Sequence, residues 1–101
     1  MQAQMFGNRI HERRLRNATR SLRALREELR VSSEQLEHTR DDEHDKELRS
    51  LVSETPLAAR EYEEAQRHRH VLETHVARLR QQIGEMESMQ DHLLDRMNGR
   101  G

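Results

Sequence analysis

The sequence predicts an all-α fold, a two-helix antiparallel coiled-coil hairpin, with dimerisation into a four-helix assembly completing a thin core. Three observations carry this. Leucines recur every seven residues at Leu15, Leu22, Leu29 and Leu36, with Ala18 and Leu25 between them. Those alternating steps of three and four mark a coiled-coil seam. A second stripe with the same period, Leu72, Val76, Leu79, Ile83, Met86 and Leu93, follows in the second half. Between the stripes stands Thr55-Pro56, a helix-start signature: Thr serves as N-cap, and Pro takes the first helical position, where its missing N–H costs nothing.

Taken in order, residues 1–8 read as a flexible N-terminal segment, because Gly7 and Asn8 are poor helix-interior residues and Asn8 suits an N-cap. Helix 1 is expected over 9–52. With Leu15 as heptad position a, its d positions are His11, Ala18, Leu25, Ser32 and Thr39, so packing weakens after Leu29. The stretch 41–47 holds five carboxylates and puts Glu43 and Lys46 on the seam, which predicts a loop or a poorly packed helix. Residues 53–55 form the turn. Helix 2 is expected over 56–98, with Gly84 costing it about 1 kcal/mol. Asn98 and Gly99 stop it, since both tolerate the left-handed conformation, and 99–101 are a tail.

The register follows from the numbering. Leu36 with Leu72, Leu29 with Leu79, Leu22 with Met86, Leu15 with Leu93, and Leu25 with Ile83 all add to 108, which centres the hairpin on Glu54. Charge agrees. Residues 1–40 carry nine Arg against five Glu, and 41–55 carry six acids against two bases. The register sets Arg13, Arg16, Arg20 and Arg23 level with Glu85, Glu87, Asp91 and Asp95. Exposed pairs of this kind contribute only about 0–1 kcal/mol each, but they disfavour parallel alternatives.

Two apolar groups fall off the seam. Met5, Phe6 and Ile10 near the start, with Met89 and Leu94 near the end, are expected to form an open-end patch that mediates homodimerisation. Leu48, Leu51, Val52, Pro56 and Leu57 lie beside the turn, where they either cap the hairpin or dock a protein partner.

The composition excludes several classes of function. Of 101 residues, 37% are charged and 2% aromatic, too polar for an ordinary globular core and suited to a solvated helical assembly. Without cysteine there is no disulfide framework and no thiolate chemistry. The start has no apolar run of signal-peptide length, and no stretch approaches the ~20 apolar residues of a membrane span. A cytoplasmic, non-membrane protein is expected. His11-Glu12 opens a zinc-protease pattern that fails at Leu15. In the group His68, His70 and His75, His68 and His75 fall at g positions beside the polar layer of Thr39 and Arg69, and the group is expected to be solvated or to act as a pH-sensitive weak point. No nucleophile elbow and no phosphate loop is present. The chain is therefore read as a non-enzyme with no cofactor and no metal.

The arginines of helix 1 evoke a basic leucine zipper. Asn8 and Arg16 have that family's spacing, but the first zipper leucine falls on Arg26, and Glu12, Glu27 and Glu28 dilute the charge. Nucleic-acid binding is not the favoured expectation. The acidic cluster Asp41–Glu47, with Glu54, resembles loosely the hairpin tips of coiled-coil factors that enter the RNA polymerase secondary channel, although no second domain accompanies it in these residues. The expected function is that of a coiled-coil adaptor or scaffold for protein–protein interaction. The alternative is a small regulator that contacts the transcription machinery or nucleic acid through its acidic tip or arginine-rich face.

Overall fold

The computed structural model describes residues 2–99, with side chains from Asn8 onward. It is all-helical over those residues. Helix α1 spans Gln2–Ser53, helix α2 spans Pro56–Met97, and the two pack against each other. The helix begins at Gln2, ahead of the expected Asn8 start, and takes in Gly7 and Asn8. A propensity cost of about 1 kcal/mol does not stop a helix that propagates from a long, well-packed body.

The acidic stretch 41–47 is helical as well, which removes the loop alternative. Its charges help to hold it. Asp42 pairs with Lys46 at 3.9 Å and Asp45 with Arg49 at 3.2 Å. Both pairs are i,i+4 with the acid on the N-terminal side, the favoured orientation.

Only Glu54 and Thr55 lie between the helices. Glu54 N–H donates to Ser50 O at 3.2 Å, and Glu54 has a φ of 52°, the left-handed conformation that ends a helix. The next residue starts α2 as its sequence predicts. Thr55 Oγ1 accepts from Ala58 N–H at 3.2 Å, and Thr55 O accepts from Ala59 N–H at 3.1 Å. At the far end, Gly99 N–H donates to Arg96 O at 3.1 Å with φ 73°, so the Asn98-Gly99 stop forms.

The chain divides into two compact units, one of residues 1–28 with 79–101, the other of residues 29–78. In the first, Ala18, Leu22, Leu79, Ile83 and Leu93 are buried, with Leu15, Leu25 and Met86 half-buried. In the second, Leu36, Ala58, Ala65 and Val76 are buried beside Ser32 and Thr39, with Leu29 and Leu72 half-buried. Every buried residue among those described is at an a or d position. From His11 to Ser50 and from Ala58 to Met97, no a or d residue is fully exposed. The heptad therefore runs through 41–47 without a break in phase. Glu43 and Lys46 are half-buried there.

Candidate functional site

The unit of residues 29–78 carries the turn and the apolar residues beside it. Leu48, Leu51 and Val52 stand at i, i+3 and i+4 on α1 and so share one face. They are 49%, 67% and 84% exposed, and Leu57 on α2 is 65% exposed. Pro56 is exposed as well. The capping alternative is thereby corrected: these side chains do not fold back over the turn. Their positions are the reason. Leu48, Leu51 and Val52 occupy f, b and c, which point away from the seam in any heptad helix.

The same unit holds a polar cluster. Arg69, at an a position, donates Nε–H to Glu43 Oε2 and Nη1–H to Glu73 Oε2, the latter at 2.9 Å. Arg40 donates Nη2–H to the other oxygen of Glu73 at 3.2 Å. The side chains of Arg69 and Glu43 are 27% and 16% exposed, so this is the least solvated charge pair described. The hydrogen bond to Glu43 raises the Arg69 pKa above its ordinary value. The hydrogen bond from Arg40 outweighs desolvation and lowers that of Glu73. Thr39 turns its hydroxyl back onto Gln35 O at 2.8 Å. The expected layer of Thr39 and Arg69 is thus a wider network, and one of its two acids, Glu43, is a residue that looks, in sequence, like a defect in the seam.

In the unit of residues 1–28 and 79–101, Gln90 Nε2–H donates to Thr19 Oγ1 at 3.1 Å, and Arg26 pairs with Glu87 at 3.8 Å. The acidic segment is thus met by Arg26, a residue outside the four arginines that sequence sets level with it. Of the open-end residues whose side chains are described, Met89, Leu94 and Ile10 do not line a common groove. Met89, 45% exposed, lines two shallow grooves of about 460 and 430 Å³ with Ser21 and Met86. Leu94 and Ile10, each 41% exposed, line neither groove. The side chains of Met5 and Phe6 lie outside the described ones. The heptad explains the separation: Met89 is a g residue, whereas Leu94 is an e residue on the flank that carries Thr19 and Arg26.

His68 and His70 are exposed and His75 is half-buried. Among the described residues no three His, Asp or Glu side chains are grouped to hold a metal ion. No described helix is long and apolar enough to cross a membrane. The surfaces on offer are therefore an apolar turn end, a charged network beside it and a methionine-lined groove. No protein-family model, curated protein or solved structure matches the chain.

Proposed function

We propose that this chain is a non-enzymatic antiparallel coiled-coil hairpin of the cytoplasm that serves as an adaptor or scaffold. It docks a protein partner through the apolar surface at its turn end. One observation carries the proposal. Leu51, Val52 and Leu57 are each about two-thirds exposed or more, while every buried residue described belongs to the seam. A helical pair that satisfies its own core has no folding use for that apolar surface, and such patches mark interaction sites.

The antiparallel direction is supported by the cross-helix pairs within each unit. Thr19 meets Gln90 and Arg26 meets Glu87; Arg40 meets Glu73 and Glu43 meets Arg69. In the first unit the α2 partner number falls as the α1 number rises. In the second, pairs this many residues apart on either side of a two-residue connection fit two helices that run back along each other.

The chemistry of the partner follows from the rim. Residues 41–55, the segment that carries Leu48, Leu51 and Val52, hold six acids against two bases, which fits an apolar groove edged by Lys or Arg. Affinity capture with wild-type chain and with Leu51→Asp tests this, with far-UV circular dichroism confirming equal helicity. A partner held by wild type and lost by the variant supports the proposal. The same partner set on both baits refutes it.

A second reading has an observation of its own. Arg9, Arg16 and Arg23 occupy successive b positions and all are exposed, a basic stripe with a repeat of about 10 Å. If this stripe binds nucleic acid, gel-shift affinity should fall steeply with salt. No shift at low salt removes that reading.

A further inference from the structure

The groove-bearing flank of the unit of residues 1–28 and 79–101 has an internal order that sequence inspection alone does not expose. Its two grooves share Ser21, Met86 and Met89. One continues past them toward Asn17 and Arg14, the other toward Ala24 and Glu85. Ser21 and Met89 therefore mark a midline with grooves of nearly equal size on either side.

The charges follow the same midline. On α1, Arg14 lies seven residues before Ser21 and Glu28 seven residues after it, both at g positions, with Asn17 and Ala24 between. On α2, Gln82 lies seven residues before Met89 and Arg96 seven residues after it, with Glu85 and His92 between. Each helix thus has a small or apolar centre and unlike groups at its two ends. A two-fold axis through Ser21 and Met89, perpendicular to the helices, lays each helix antiparallel on its own copy. It sets Arg14 against the second copy's Glu28, Glu85 against its His92, and Arg96 against the amide of its Gln82. A rotation axis parallel to the helices would instead bring Arg14 against Arg96.

We propose that a second copy of this chain docks isologously on this flank, α1 on α1 about Ser21 and α2 on α2 about Met89. The product is a four-helix assembly with the methionines at its centre. Self-complementarity of one patch is what a two-fold homodimer requires. The groove supplies it in shape: the two Met89 side chains meet at the axis, and each groove faces the other groove of the second copy. The partner that docks at the turn end is a separate question, since the two surfaces share no residue.

The chain contains no cysteine, so a single introduced one reports its own surroundings. Multi-angle light scattering at micromolar concentration should read twice 12.1 kDa for the wild type. Ser21→Cys should form an intermolecular disulfide on mild oxidation, whereas Arg23→Cys, one of the b-position stripe, should not. Arg14→Glu should return the mass to that of one chain, and the double variant Arg14→Glu, Glu28→Arg should restore the dimer. Circular dichroism establishes that each variant remains helical. A wild type found only as a single chain overturns the proposal. So does a dimer that Arg14→Glu leaves intact, that the charge swap fails to restore, or that cross-links as well through Arg23→Cys as through Ser21→Cys.

Discussion

Replacing Glu54 by glycine should stabilise this protein, against the usual direction of such a change. Glu54 holds φ 52° between the two helices. An L-residue in the left-handed region costs roughly 1–2 kcal/mol, which glycine does not incur. Glycine in turn loses about 0.5–1 kcal/mol through the greater freedom of its unfolded chain. The net expectation is a gain of about 0.5–1 kcal/mol. For a domain near this size that corresponds to a Tm rise of roughly 2–8 °C.

Charge must be separated from conformation, because the Glu54 carboxylate lies between the carbonyl end of α1 and the amide end of α2, which act on it with opposite sign. Glu54→Ala provides the control, since it removes the charge and keeps the Cβ. The quantity to measure is the difference between the Gly and Ala variants, by thermal and urea unfolding followed by circular dichroism. Both must be run at one protein concentration so that any self-association contributes equally. In an uninterrupted helix, Gly would be about 1 kcal/mol less stable than Ala. A Gly variant below the Ala variant would therefore refute the tight turn and the packing of α2 that depends on it.

Two further outcomes are expected. Leu22, 1% exposed, is the most deeply buried large side chain described, and Leu22→Ala should cost about 2–5 kcal/mol, while Leu51→Ala at the exposed turn end should stay within about 0.5 kcal/mol; comparable losses by urea unfolding would contradict the burial pattern. The lowered pKa of Glu73 means that its contribution to stability is present above the ordinary value of 4.5 and is lost as pH falls through the depressed folded value. The raised pKa of Arg69 leaves that group charged throughout the same range. Glu73→Gln should then flatten the acid-side decline in Tm, and an unchanged decline would assign it to other carboxylates.

Much of this fold is legible because a coiled coil writes its core into the spacing of residues. The positions of Leu15, Ala18, Leu22, Leu25 and their counterparts in α2 need no knowledge of the partner helix. Thr55-Pro56 and Asn98-Gly99 are likewise local: a cap, a fixed φ and a left-handed residue act within four residues of one another. The misses share a different cause. Nothing local distinguishes Glu43 as a breaker from Glu43 as the partner of Arg69, because its hydrogen-bond donor lies 26 residues away. The start of α1 is missed because the cost of Gly7 and Asn8 is small beside the cooperativity of a helix of 52 residues. Met89 and Leu94, joined in the expected open-end patch, are separated for a geometric reason. Nearness along the axis does not place Met89 and Leu94 on one flank, and only their heptad letters keep them apart.

Because every buried residue among those described lies at a or d, folding there occupies two letters of every seven and leaves the others almost unconstrained. That division gives the chain a key for interpreting variants. A change at a or d alters how much protein is folded, and its effects should appear together, in every assay at once. A change at b, c, e, f or g leaves the amount of folded protein nearly as it was, so a defect there belongs to a particular contact with another molecule. The acidic pair Glu43 and Glu73 crosses this division, one at a and the other at e. They are where a single substitution should disturb both ledgers.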